Sequence, residues 1–166
     1  MERNWPLFIV TGSSGSGKTY VLDELRKIMP GFVAFDLDNL RGFIDYNDWQ
    51  KGLNIYVRFA RDIVKSGVMT ILCGTVMPWD MEKCADFECF SHVYYLNLHC
   101  DDDAREQRLR ARDWPENKIH DYKNFAKWLI DNADTAYSPP MPIVDTTNSN
   151  VTEVASRIKE WVLQYA

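Results

Sequence analysis

No apolar run in this sequence approaches the roughly 18 residues that a membrane-spanning helix needs, so a span of that kind is excluded. The opening residues, M-E-R-N-W-P, lack the apolar core of a secretory leader. The expectation is a soluble, cytoplasmic protein with no membrane partner. Its four cysteines, Cys73, Cys84, Cys89 and Cys100, form no C-x-x-C pair and have no histidine at zinc-finger spacing. A disulfide framework and a zinc module therefore fall away, leaving reduced thiols. His92, His99 and His120 complete no triad or metal set. Positive charge is also short. A net charge of −5 and a pI near 5.2 argue against a nucleic-acid binder, which wants a basic face. A local basic pocket for a phosphorylated ligand stays compatible with that balance. There is no internal repeat, low-complexity segment or dividing linker, so residues 1–166 are expected to form one domain.

What is present can fold: 46% of the 166 residues are hydrophobic and 13% aromatic, enough to bury a core. The chain is organised around Leu7 to Thr19. Leu7 to Val10 is a short apolar run that reads as a buried strand, and Gly12-Ser13-Ser14-Gly15-Ser16-Gly17-Lys18-Thr19 follows at once. That octapeptide is a full G-x-x-x-x-G-K-S/T match, and an amphipathic run through Val21, Leu22, Leu25, Ile28 and Met29 comes next. Strand, loop and helix stand in the order a phosphate-binding loop requires. The glycines let the main chain approach a ligand, and the loop's N–H groups converge at the positive end of a helix dipole. Lys18 is expected to reach the outer phosphates and the Thr19 hydroxyl to take a place on Mg²⁺.

Further along, Phe32–Phe35 reads as a second strand that closes on Asp36-Leu37-Asp38. Trp49, Leu53, Val57, Ala60 and Val64 recur at helical spacing until Ser66-Gly67. Val68–Cys73 is a third strand, Trp79–Ala85 a weak helical patch and His92–Leu98 a fourth strand. Asp101 to Asp103 can cap the charged segment Ala104–Arg112, which Trp114-Pro115 breaks. A helix carrying Phe125, Trp128, Leu129 and Ala133 precedes a brief strand, Ile143–Val144. Asn150-Val-Thr-Glu153 is a capping-box signature for a last helix with Val154, Ile158, Trp161 and Val162 inside. Strands alternating with helices imply crossover units and a mostly parallel sheet covered on both faces. Ligands of such sheets bind beyond the carboxyl ends of the strands, which selects the loops at Gly12, Asp36, Gly74, His99 and Asp145.

Two further clusters fall on those loops. Asp36 and Asp38 lie two apart, and in an extended stretch both carboxylates face the cleft. Phosphoryl transfer to a hydroxyl needs one group for Mg²⁺ or its waters and one to orient and deprotonate the acceptor. Turn or helix capping is the alternative use of such aspartates. Arg105, Arg108, Arg110 and Arg112 follow strand four. On a helix Arg108 and Arg112 share a face, where they could clamp phosphates or stack on a base. A solvated charged helix paired to Asp101–Asp103 and Glu106 is the plainer use.

With these clusters, the chain resembles the small P-loop kinases, the group of adenylate, shikimate and gluconate kinases. Gly12–Thr19 matches their phosphate loop, Asp36-Leu-Asp38 is similar to the D-x-D of shikimate-kinase-type enzymes, and Arg108-Leu-Arg-Ala-Arg112 is similar to the R-x-x-x-R of the lid. The resemblance implies a three-layer α/β P-loop NTPase fold with a five-stranded parallel sheet of order 2-3-1-4-5. It implies ATP as donor, Asp36 in the magnesium shell, Asp38 at the acceptor hydroxyl, and Arg108 and Arg112 on ATP within a lid over residues 105–120. Asp145-Thr-Thr-Asn148 is similar to the segment that holds the adenine ring, which puts Thr147 among the ATP contacts. One departure matters: strand three ends in Cys73-Gly74 where many relatives carry an acid, so the magnesium role falls on Asp36.

Residues 39–61 are expected to form the acceptor pocket, with Arg41, Arg58 and Arg61 as its cations and Tyr46, Trp49, Tyr56 and Phe59 as its aromatics. Arg41 or Arg58 suits the phosphate of a nucleotide and the carboxylate of a sugar acid equally well. The expected partner is a small phosphoryl acceptor, a nucleoside or nucleotide ahead of a sugar acid, and the chain is expected to act as a monomer or homodimer. A nucleotide switch is disfavoured because Asn117-Lys-Ile-His120 puts a histidine where guanine reading needs an acid. AAA-type motors need more chain than this. A regulatory binder that kept the loop and lost the chemistry is the remaining alternative, with Cys73 as its best support.

Overall fold

In the computed structural model, which describes residues 5–166 and their side chains apart from that of Tyr46, each strand is followed by one helix or, after the fourth strand, by two. They run β1 (Pro6–Thr11), α1 (Lys18–Ile28), β2 (Phe32–Asp36), α2 (Trp49–Val64), β3 (Met69–Cys73) and α3 (Pro78–Glu82). The second half contributes β4 (His92–His99), α4 (Asp102–Arg110), α5 (Glu116–Asp131), β5 (Ile143–Asp145) and α6 (Val151–Leu163). The five strands form one parallel sheet in the order β2-β3-β1-β4-β5. This is the P-loop NTPase topology. The opening M-E-R-N stretch lies outside the described residues.

β1 is central and buried along its whole length. Because strand side chains alternate between faces, Leu7 and Ile9 enter a core shared with α2 and α5, while Phe8 and Val10 enter the opposite core under α1 and α6. Trp161 of α6 meets Phe8 edge to face at 5.5 Å. α6 starts where the capping box places it: Glu153 N donates to Asn150 Oδ1 at 2.9 Å and Asn150 N to Glu153 Oε2 at 3.0 Å.

Two sequence expectations change. Asp36 ends β2 in extended conformation, but the chain then tightens into a 3-10 turn over Leu37–Leu40, capped when Asp38 N donates to Asp36 Oδ1 at 2.9 Å. An aspartate followed by a free amide two residues on favours this turn over continued extension. The two carboxylates therefore do not share one face of an extended strand. Likewise α4 ends at Arg110 with Ala111 as its cap, and Asp113 turns the chain at φ 58°. Arg112 sits in that turn and shares no helix face with Arg108.

Candidate functional site

The loop between β1 and α1 is held by its carbonyl oxygens. Thr75 Oγ1 donates to Gly12 O at 2.9 Å, Arg108 Nη1 to Gly15 O at 3.0 Å and Thr146 Oγ1 to Ser16 O at 2.8 Å. Arg105 donates to Ser14 O, and the loop's own Ser13 hydroxyl donates to Tyr122 O at 2.7 Å. A trans peptide points its N–H opposite its C=O. Carbonyls engaged in this way fix the orientation of the peptide planes, and with them the amides that a ligand would meet. Gly12 has φ 150°, and a Cβ there would lie 2.5 Å from Leu98 O and 2.7 Å from Ser16 Oγ. No other residue fits that position. Gly15, at φ 86°, lies against Arg105 and Leu109 of α4.

Lys18 Nζ folds onto the loop, donating to Gly12 O at 2.6 Å and Ser13 O at 3.1 Å. Removal of its ammonium from water lowers the pKa from 10.5 to about 8; Asp38 and Asp36 pull it up and Arg105 pushes it further down. Both aspartates thus lie within the field of Lys18. The 3-10 turn brings about the convergence that an extended chain was expected to supply. Asp36 is buried, and its carbonyl accepts the Tyr56 hydroxyl at 2.8 Å. Asp38 is half-exposed and pairs with Arg41 Nε at 2.9 Å. Thr19 is exposed in the first turn of α1.

Sheet register explains how Asp36 can stand where an acid on β3 is missing. Asp36 is the register partner of Cys73, whose other neighbour is Val10 just before the loop. Asp36 thus stands one strand over from Cys73 at the same level of the sheet. Burial first, and then Asp36, push the Cys73 thiol up to about 12, so it is neutral and a poor hard-cation ligand. The Thr19 hydroxyl and Asp36 carboxylate are hard oxygen donors of the sort Mg²⁺ takes in small number, completing its shell with phosphates and water. Among the described residues no group of three or more His, Cys, Asp or Glu could hold a metal ion by itself. The donor set fits magnesium brought with a polyphosphate.

On the α4 side a cavity of about 470 Å³ is lined by Gly15, Gly17, Tyr20, Val21, Arg108, Arg112, Thr146 and Asn150. Arg112 reaches it from the turn and Arg108 from the helix. Arg108 is already held by Gly15 O, by Thr146 Oγ1 at 3.2 Å and by Thr146 O at 2.8 Å. Thr147 does not line this cavity; its hydroxyl accepts from Asp101 N at 2.9 Å and braces the start of α4. Thr146, one residue earlier, lines the cavity instead. Arg105 was also passed over. It is fully buried, joins Ser14 O to Cys100 O (3.1 Å), and has no carboxylate in contact among the described residues. The signal was Leu109, the single large aliphatic on α4, which marks Arg105 one turn earlier as core-facing.

A second cavity of about 340 Å³ lies beside Asp38. Leu37, Leu40, Ile44, Trp49, Leu53 and Met77 form its apolar walls, and Asp38, Arg41, Asp45, Thr75 and Asp80 its polar ones. Arg58 is absent from the lining. It stands on the outer face of α2, 62% exposed, with Nε 3.2 Å from Asp86, which also holds Arg61. Helical phase accounts for the difference: Val57 and Ala60 take the buried face, leaving Arg58 outside. Tyr56 is buried and Phe59 exposed, so Trp49 is the aromatic that reaches the cavity; the Tyr46 ring lies outside the described side chains.

The family described as AAA domain matches residues 9–131, from β1 through the end of α5. None of the curated proteins matches the sequence. Among solved structures, a sugar kinase from Janibacter sp. HTCC2649 superposes with TM-score 0.65 at 17% identity, over 99% of this chain and 96% of that one. A gluconokinase from Sinorhizobium meliloti 1021 gives 0.59 at 16% identity over 99% and 100%. Shikimate kinase from Acinetobacter baumannii, in complex with shikimate, gives 0.57 at 17% identity over 96% and 94%. At such identities the likeness is one of fold.

Proposed function

Because this chain belongs to the AAA domain family, we propose that it is an ATP-dependent kinase, transferring the γ-phosphoryl of Mg-ATP to a hydroxyl of a small molecule. One observation carries the reading: Asp38 lines a cavity of its own while standing in the field of Lys18 on the phosphate loop. A motor or switch has no need of an acceptor chamber at the end of its phosphate cradle. The kinase neighbours of the same fold support the proposal.

In this reading ATP lies with its phosphates in the loop from Gly12 to Thr19 and its base side toward the cavity of Arg108, Arg112 and Thr146. Thr19 and Asp36 would hold Mg²⁺, which when bound neutralises charge on the β- and γ-phosphates. Asp38 orients the acceptor and takes its proton. The acceptor oxygen forms a bond to Pγ as the bond from Pγ to the β,γ-bridging oxygen breaks, and that electron pair leaves with ADP. Lys18 stabilises the charge on the transferring group, and Arg112 that on the leaving diphosphate. Residues 39–61 form the acceptor segment, and 105–120 a lid whose base is fixed by Arg105 and Arg108.

The experiment is ADP release from Mg-ATP with a panel of nucleosides, nucleotides and hydroxy acids. Lys18→Ala should lower turnover by about 10²–10³ and weaken ATP binding, the scale for one electrostatic donor. Asp38→Asn should leave ATP binding intact and lower transfer by about 10²–10⁴, the range for a general base. Undiminished transfer by Asp38→Asn would refute the base assignment. A non-catalytic nucleotide binder is the second reading, favoured by Cys73 in the β3 position; tight ATP binding without transfer to any acceptor would select it.

A further inference from the structure

Among the described residues the acceptor cavity offers no spare cation. Of the arginines near it, Arg58 and Arg61 are engaged by Asp86 on the outer face of α2. Arg41, the one basic residue in the lining, is paired with Asp38 at 2.9 Å. Against that single guanidinium the lining sets three carboxylates, Asp38, Asp45 and Asp80. Asp45 caps the turn after Ile44 by accepting from Asn47 N, and Asp80 caps α3 by accepting from Met77 N, so both are fixed in place. Lys83 approaches Asp80 no closer than 3.8 Å and is mostly exposed. Phosphate and carboxylate groups are ordinarily met by free, bidentate arginines. Here an anionic acceptor would face net negative charge from carboxylates that are only partly screened by water.

Resting on the kinase reading above, we propose that the acceptor is a hydroxyl compound with a flat apolar body and no negative charge, an amine-bearing compound preferred over a neutral one. Leu40, Ile44 and Trp49 take the apolar body, Asp45 and Asp80 attract the ammonium, and Asp38 meets the hydroxyl. This separates the chamber from one built for a nucleotide or a sugar acid, because either of those brings an anion that only Arg41 could receive, by leaving Asp38.

Three probes sharing a phenyl carbinol isolate charge from shape: 2-amino-1-phenylethanol, 1-phenylethane-1,2-diol and mandelate. Adenosine and cytidine, each beside its 5′-monophosphate, form a second matched set. ADP release, ³¹P detection of the phosphorylated product and Mg-ATP affinity are measured together on the full chain. The expected order of kcat/KM is aminated, then neutral, then anionic, and each nucleoside ahead of its monophosphate. Asp45→Asn keeps the turn cap and should lower the aminated-to-anionic ratio by about fivefold, the scale of one partly exposed charge pair. Equal rates across charge, or faster transfer to mandelate and the monophosphates, would overturn this inference and leave the kinase standing. Binding of Mg-ATP with no transfer to any probe would overturn both.

Discussion

The two cavities that flank Lys18 are built by different means. On the donor side, oxygen after oxygen of the phosphate loop is tied to a neighbour: Gly12 to Thr75, Ser14 to Arg105, Gly15 to Arg108, Ser16 to Thr146. On the acceptor side the walls are short 3-10 turns over Leu37–Leu40 and Tyr46–Asp48, with half-exposed ion pairs such as Asp38–Arg41. The first half presents a fixed charge pattern to a ligand common to a whole family. The second presents an apolar and acidic surface built from local turns, the kind on which specificity can change without disturbing the cradle. The difference teaches where to look for each property: affinity for the nucleotide in the network around the loop, choice of acceptor in a few side chains after β2.

That contrast can be broken in order of expected effect. Arg105→Lys keeps the charge but loses the planar fork that spans Ser14 O and Cys100 O. Losing one charge-assisted bond of about 1.5–3 kcal/mol should raise the ATP dissociation constant roughly tenfold to a hundredfold. The acceptor KM should stay where it was, and isothermal titration with parallel kinetics separates the two. A matching rise in acceptor KM would mean that the halves are not independent.

A smaller effect is expected from pH. Free Lys18 has a pKa near 8, and a polyphosphate beside it raises that value. Below pH 8 the ammonium is protonated in both states and affinity is flat. Above it the free protein gives up a proton that the complex must take back, so the dissociation constant rises by up to about tenfold per pH unit. The nucleotide-free fold moves the other way: its depressed pKa means that the unfolded chain binds more protons between about 8 and 10.5, so this group's contribution to stability increases across that window. A flat affinity profile from pH 7 to 9.5, or one unchanged in Lys18→Met, would remove the role given to this ammonium. The smallest effect belongs to Arg58→Ala. Its partner Asp86 is mostly covered but pairs with it outside the cavity and keeps Arg61 when Arg58 is removed, so acceptor KM should change by less than about twofold. A large change would move the acceptor boundary onto the outer face of α2.

The same contrast marks what could be read in the sequence. Strand and helix positions and the cradle are legible because contiguous signals encode them: an apolar strand, a glycine-spaced loop, a capping box at Asn150; the strand order follows only from the resemblance to small P-loop kinases. The acceptor side is not legible, since spacing along residues 39–61 shows neither which phase of α2 faces inward nor how Asp36 caps the turn that relocates Asp38. Segment position and charge put Arg58 in the pocket; the burial of Val57 and Ala60 turns it outward. Thr147 and Thr146 are identical in type, so only the loop's path after β5 distinguishes them. Arg105 was hidden among four arginines because burial of a guanidinium runs against its usual place.

The fastenings of the phosphate loop come from far along the chain: 63 residues away at Thr75, 91 at Arg105, 93 at Arg108, 109 at Tyr122 and 130 at Thr146. A nascent chain therefore carries the whole glycine-lysine motif long before it carries the parts that shape it. Contacts of such sequence separation close late, and the ability to hold a nucleotide is among the last properties this chain acquires as it emerges and folds.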